Sequence, residues 1–176
     1  MKATFADGRL TPLDDCYVNF PNLGAKIYME ILPQISDQKG ASYSDENGIG
    51  RTQPWKTYQY SENRSISWTA TFIATKDSDF DRFLDYIRTI QAAVYPMDKG
   101  GSAPFAPPPV AKIRCGQLLQ REGELCAVLK SYSIKYDAGV PWDERTYLPY
   151  KFDIDMTFDV IYNQTSLPGA ETILTM

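Results

Sequence analysis

The stretch YKFDIDMTFDVIY, residues 150–162, decides the fold. In it Tyr150, Phe152, Ile154, Met156, Phe158, Val160 and Tyr162 alternate with Lys151, Asp153, Asp155, Thr157, Asp159 and Ile161. Successive side chains of a strand point to opposite faces, so this period of two predicts a long strand with one apolar and one largely acidic face. Such a strand needs one covered side and tolerates water on the other.

Working outward, residues 65–74 carry the same signal: Ile66, Trp68, Ala70 and Phe72 alternate with Ser65, Ser67, Thr69 and Thr71. They predict a second half-buried strand. Residues 125–136 form another, with Val128, Tyr132, Ile134 and Tyr136 at one parity but Lys130 among them. Before it, Ala111, Ile113 and Cys115 alternate with Lys112 and Arg114, Gly116 opens a turn, and residues 121–124 (REGE) suit a hairpin. Residues 26–32 (KIYMEIL) fit a strand or a short helix, and strand is preferred.

One segment has the other period. Phe80, Phe83, Leu84, Ile87, Ile90 and Val94 recur at helical spacing after Ser78 and Asp81, which resemble a capping box. This predicts a helix over 79–94, ended because Pro96 disfavours helical geometry at Tyr95, with its apolar stripe against the sheet. Residues 97–109 (MDKGGSAPFAPPP) predict a stiff, extended connection. Residues 137–149 connect into the last strand.

Residues 33–55, PQISDQKGASYSDENGIGRTQPW, show no sustained period. They are expected to contain a long loop at about 35–56, either a solvated segment or an arm ordered by a partner. With 176 residues, the expectation is one domain over 1–176, mainly β with one main helix (α+β), and a short C-terminal tail at 163–176.

Composition then narrows function. Histidine is absent, which removes the commonest general base, the usual metal ligand and every imidazole-dependent triad. A formal charge of -4 does not announce a duplex-binding surface. Cys16, Cys115 and Cys126 are odd in number and lack CxxC spacing, so neither a disulfide framework nor a zinc site is expected, and a reducing compartment fits. The N-terminus has no apolar signal region and no stretch approaches a membrane span, so folding in the cytoplasm is expected.

The acidic residues are the remaining candidates for chemistry. Asp45, Asn47 and Gly50 begin like a calcium loop, but Ile49 and Lys56 stand where ligands are needed. Asp153, Asp155 and Asp159 share a strand face, an arrangement that solvation explains without a metal. Asp143 and Glu144 are paired carboxylates with no substrate-shaped company. No catalytic residue, metal site or cofactor is therefore expected. Trp142 reads either as a loop tryptophan closing one end of the core or as an aromatic anchor at a subunit contact.

The order of segments NRSISWTATFIA, IQAAVYP, APPPVAKIRCGQLL, AVLKSYSIKYD and VPWDERTYLPYKFDIDMTFDVIY resembles the tail-tube-like domain of baseplate proteins in contractile phages and related injection systems. The resemblance covers roughly residues 60–162. It implies two packed antiparallel sheets flanked by a helix, with subunits joined sheet to sheet in a ring, hexameric in that family, around a channel. It further implies a tube initiator or hub adaptor in a virion tail or baseplate, assembled in the host cytoplasm. Expected partners are copies of itself and other baseplate and tube proteins, with DNA passing through but not specifically bound, and no membrane.

Many members of that family carry a peptidoglycan-binding LysM module after this domain. The chain stops at Met176 soon after the last strand, so an adaptor role without that module is expected. In a ring, Asp153, Asp155 and Asp159 would face the lumen and repel phosphates. Tyr43, Trp55, Trp142, Asp143 and Glu144 would make subunit or partner contacts. The alternative is a non-catalytic β-sandwich that binds glycans or small molecules on Tyr43, Trp55, Tyr58 and Tyr60.

Overall fold

The computed structural model describes residues 13–50, 52–96, 106–120 and 123–162. The 163–176 tail, the 97–105 part of the Gly and Pro connection, and residues 121 and 122 of the REGE hairpin lie outside them. As expected, the described residues are mainly β with one α-helix and two antiparallel sheets, but the second sheet is a separate two-stranded one that adds no described residue to the core, so the two are not the packed pair that the resemblance implies. In chain order the elements are β1 (Cys16–Phe20), β2 (Ala25–Tyr28), β3 (Gln34–Gln38), β4 (Ala41–Glu46), β5 (Trp55–Ser61), β6 (Ser65–Ile73), α1 (Asp77–Ala92), β7 (Val110–Cys115), β8 (Leu125–Tyr136) and β9 (Lys151–Val160).

The larger sheet has seven strands in the order β2-β1-β7-β8-β9-β6-β3. Within it the alternating strand β9 lies between β8 and β6, and it pairs with β6 through Ile66 opposite Phe158, Trp68 opposite Met156 and Phe72 opposite Phe152. Paired residues share a face, so the alternations of β6 and β9 lock one common apolar side and fix the register. Trp68, Phe72, Phe152 and Phe158 on that side are buried.

β8 explains why its alternation is unclean. The register shifts between Leu129 and Ser131, so Lys130 is the extra residue of a bulge. Ala127 and Leu129 lie on the apolar face before it, and Tyr132 and Ile134 on the same face after it. Val128 therefore belongs to the polar face opposite Asp159, not with Tyr132 and Ile134 as simple parity predicts.

The chain passes from β2 at one edge to β3 at the other through residues 29–33 alone. Six virtual bonds from Tyr28 to Gln34 reach at most about 22 Å, whereas six gaps in a flat sheet span about 29 Å. The sheet must curl, and its concave side is the core. Helix α1 fills it: Phe83 lies edge-on to Phe72 and Phe152 with ring centroids 5.4 and 5.5 Å away, and Arg82 binds Glu30 just beyond β2.

The helix begins two residues before the predicted start. The carboxylate of Asp79, not Asp81, accepts the backbone N–H groups of Thr75 and Lys76 at 3.1 and 3.0 Å. Thr75 also donates its hydroxyl to Asp79, an additional bond that Ser78 and Asp81 do not offer in the register adopted.

The loop expected at about 35–56 is mostly strand. β3 pairs with β6 as the edge of the large sheet, and β4 pairs with β5 as a separate two-stranded ribbon. Residues 47–54 alone separate the ribbon strands. The sequence shows no period there because no described residue of 41–61 belongs to the core, so neither face selects apolar side chains.

Candidate functional site

Three surfaces hold the residues singled out from the sequence. The first is the convex face of the large sheet. Thr69 and Thr71 donate their hydroxyls to Asp155 and Asp153 at 2.7 and 2.6 Å across the β6-β9 ladder. Lys135 pairs with Asp155 at 2.7 Å and Lys130 with Asp159 at 3.3 Å. The hydrogen bonds from Lys135 and Thr69 hold the Asp155 carboxyl below the ordinary aspartate value.

The three aspartates do share one half-buried face, but the expected acidic row is neutralised. Lys151 stands on the same parity as Asp153, so the row of β8 and β9 carries Asp153, Asp155 and Asp159 against Lys130, Lys135 and Lys151, a formal sum of zero. Around it lie Ser65, Ser67, Thr157, Ser131 and Ser133. The face is one of hydroxyls and balanced charges, with Asp155 and Asp159 in ion pairs and Asp153 held by the Thr71 hydroxyl.

The second surface is the β4-β5 ribbon. Tyr43 opposes Tyr58 with ring centroids 5.8 Å apart and near-perpendicular planes, and Asp45 pairs with Lys56 at 2.5 Å on the same face. Trp55 opposes Glu46 and so belongs to the other face. Tyr60 follows the bulge at Ser42 and Tyr43. All four aromatics are exposed, but they divide into Tyr43 and Tyr58 on one face and Trp55 and Tyr60 on the other, so the four do not make one stacking platform.

The base of the ribbon is held firmly. Arg64 donates from Nε and Nη2 to both carboxylate oxygens of Asp37, at distances from 2.5 to 3.1 Å, and from Nη2 to the Leu119 carbonyl at 3.1 Å. Glu62 N–H donates to the Gly40 carbonyl at 2.9 Å, which carries one ladder bond across the joint between sheet and ribbon. Beyond this joint the ribbon is exposed on both faces.

The third surface is the turn before β9, at the opposite end of the β6-β9 pair. Asp143 accepts the Thr146 N–H and hydroxyl at 2.8 and 2.6 Å, and its own N–H donates to the Leu148 carbonyl at 2.9 Å. The Thr146 hydroxyl bond is the main reason the Asp143 carboxyl sits below its usual value. Tyr147 takes φ 58°, a left-handed conformation unfavourable for a side chain of its size. The result is Trp142 stacked on Tyr147 with centroids 5.2 Å apart, both outside the core, while Leu148 points inward.

Trp142 therefore does not close the core, because Leu148 occupies that position. Arg145 ties the turn to α1 through both oxygens of Asp81 at 3.0 and 3.1 Å, and Glu144 is exposed beside it. Asp143 and Glu144 do not act as a carboxylate pair, since Asp143 is consumed by the turn.

Sequence reading missed two clusters. Lys26 lies over the rings of Tyr17 and Tyr28 at 3.5 and 4.9 Å, and Tyr17 donates to Glu124 at 2.8 Å. Cys16 and Cys115 face each other, Sγ to Sγ, at 3.3 Å. Neither leaves a local signal, since the aromatic cluster is assembled by the pairing of β1 with β2 and the two cysteines meet only when β1 pairs with β7. Among the described residues no three Asp, Glu, Cys or His side chains are grouped to hold a metal, and no helix is long and apolar enough to cross a membrane.

No family model matches the chain, and no curated protein matches it. Among solved structures, a chain from the tail of an empty GTA particle with C6 symmetry is similar over 85% of this chain and 92% of its own, with a TM-score of 0.38 and 12% identity.

Proposed function

We propose that the chain is a non-catalytic structural subunit of a phage-type tail, forming a ring that joins the tail tube to the baseplate hub. The observation that carries this is the β4-β5 ribbon. Its described residues add nothing to the core, expose both faces and form a sheet of two strands only, so that each strand is an edge. A lone two-stranded ribbon is marginal in water, and open edges are templates for another chain. The chain's segment order, which resembles that of tail-tube-like baseplate proteins, supports the same assignment.

In this reading the ribbon is an arm that reaches a neighbouring subunit, and edges β2 and β3 meet those of adjacent copies around the ring. Six copies, a contractile tail and assembly in the host cytoplasm follow from the resemblance. The hydroxyl-rich face would line a channel through which DNA slides without adhering. Trp142 and Tyr147, held out by a rigid turn, are the contact of the opposite end.

The test is negative-stain imaging of the protein expressed with its genomic neighbours. Rings or ring-capped tubes are expected from the full chain, and monomers from a variant whose residues 41–61 are replaced by a short turn. A monodisperse monomer from the full chain under all expression conditions, or rings that persist without the ribbon, would overturn the proposal.

A further inference from the structure

The geometry points to Cys16 and Cys115 as an oxidation site, a buried dithiol that a small peroxide converts to a cross-strand disulfide joining β1 to β7. The two residues are register partners. Gly116 N–H donates to the Asp15 carbonyl at 2.8 Å, so the next pair along the ladder, Cys16 and Cys115, is a non-hydrogen-bonded one. Such pairs have Cα atoms about 4.5 Å apart and side chains drawn together. That lies within the range of about 4.4–6.8 Å that a disulfide bridges.

The sulfurs already stand 3.3 Å apart, with the Cys16 thiol donating to Cys115. This bond holds the proton on Cys16 and favours the thiolate of Cys115, which sits below its ordinary value while Cys16 sits above. Cys115 is accordingly the attacking sulfur. Both residues are buried in the described structure, so a bulky oxidant is excluded and a small neutral one favoured. Cys126, partly exposed, is bonded to neither.

The chemistry closes without another reagent. Cys115 Sγ attacks one oxygen of hydrogen peroxide, the O–O bond breaks, and the released hydroxide leaves as water with the Cys115 proton. Cys16 Sγ then attacks the sulfenic sulfur of Cys115, the S–O bond breaks, and a second water leaves with the Cys16 proton. Two thiols lose two electrons and the peroxide gains them.

The experiment exposes the folded Cys126→Ser protein and the wild type to hydrogen peroxide, then alkylates them in denaturant for intact-mass and non-reducing peptide analysis. Expected are joint loss of the Cys16 and Cys115 thiols, a mass lower by two hydrogen atoms, and one peptide pair linking the two residues. The oxidised protein should unfold at higher denaturant than the reduced one, because the bond closes a loop between residues 99 apart in sequence. Both thiols remaining alkylatable, separate oxidation to sulfinic acids, links between chains, or a lowered midpoint would each overturn the inference.

Discussion

At the residue scale, Glu30 is the one buried charged residue among those described. Its side chain is 4% exposed and that of Arg82, its partner, is 34% exposed. Burial raises the Glu30 carboxyl above its ordinary value, and Arg82 draws it back only in part. An acid with a raised folded pKa binds its proton more tightly when folded. Its contribution to stability is thus full below the ordinary glutamate value of 4.5 and diminishes as pH rises through the folded value. Arg82→Met leaves the buried carboxylate uncompensated and should cost about 3 kcal/mol at neutral pH. Denaturant midpoints measured from neutral pH down to the ordinary glutamate range should show that cost shrinking as Glu30 takes up its proton. Glu30→Gln should cost less, because Arg82 keeps Asp79 at 3.1 Å and reaches solvent. Neither Glu30 nor Arg82 was marked by the sequence, since their contact depends on a chain crossing between opposite sheet edges.

At the element scale, α1 and the ribbon are opposite cases. Phe83 on α1 is fully buried against Phe72 and Phe152, and Phe83→Ala should destabilise the protein by about 3–5 kcal/mol in a denaturant titration. Replacing residues 41–61 by a short turn should leave the denaturant midpoint of the isolated chain nearly unchanged, because the ribbon buries nothing in the core. The helix and the central strands were legible because one covered face imposes an apolar period on each. The ribbon carries no such period, because its pairing is made by backbone hydrogen bonds and surface pairs such as Tyr43 with Tyr58, which impose none. The bulge at Lys130 was read as imperfect alternation for a related reason, since an extra residue moves Val128 to the polar face without changing its type.

At the scale of the whole molecule, the acid limb of stability and the charge of the convex face become measurable. Asp155 and Asp143 both have carboxyls below the ordinary aspartate value of 3.8. Their contribution is present above that value and lost as pH falls below it through the folded values. Asp155→Asn and Asp143→Asn should each flatten the loss of stability as pH falls below the ordinary aspartate value, read as denaturant midpoint against pH. Changing Asp153, Asp155 and Asp159 together to Asn would leave Lys130, Lys135 and Lys151 without countercharge. That variant should retain duplex DNA on a filter at low salt and release it as salt rises, whereas the unaltered protein should not retain it. Equal retention by both would show that the paired charges do not govern the face.

The sequence by itself determined the elements whose periods answer to a core: β6, β9 and α1, their apolar sides, and the mainly β class with one helix. Those features follow from each residue's own preference for water or its absence, which can be read one segment at a time. Only the tertiary structure decided that the edge strands curl toward each other, that lysines neutralise the aspartate face, that residues 41–61 form a ribbon, and that Cys16 meets Cys115. Each of these depends on which strand lies beside which, and that choice is made by register and chain crossing between segments far apart in sequence.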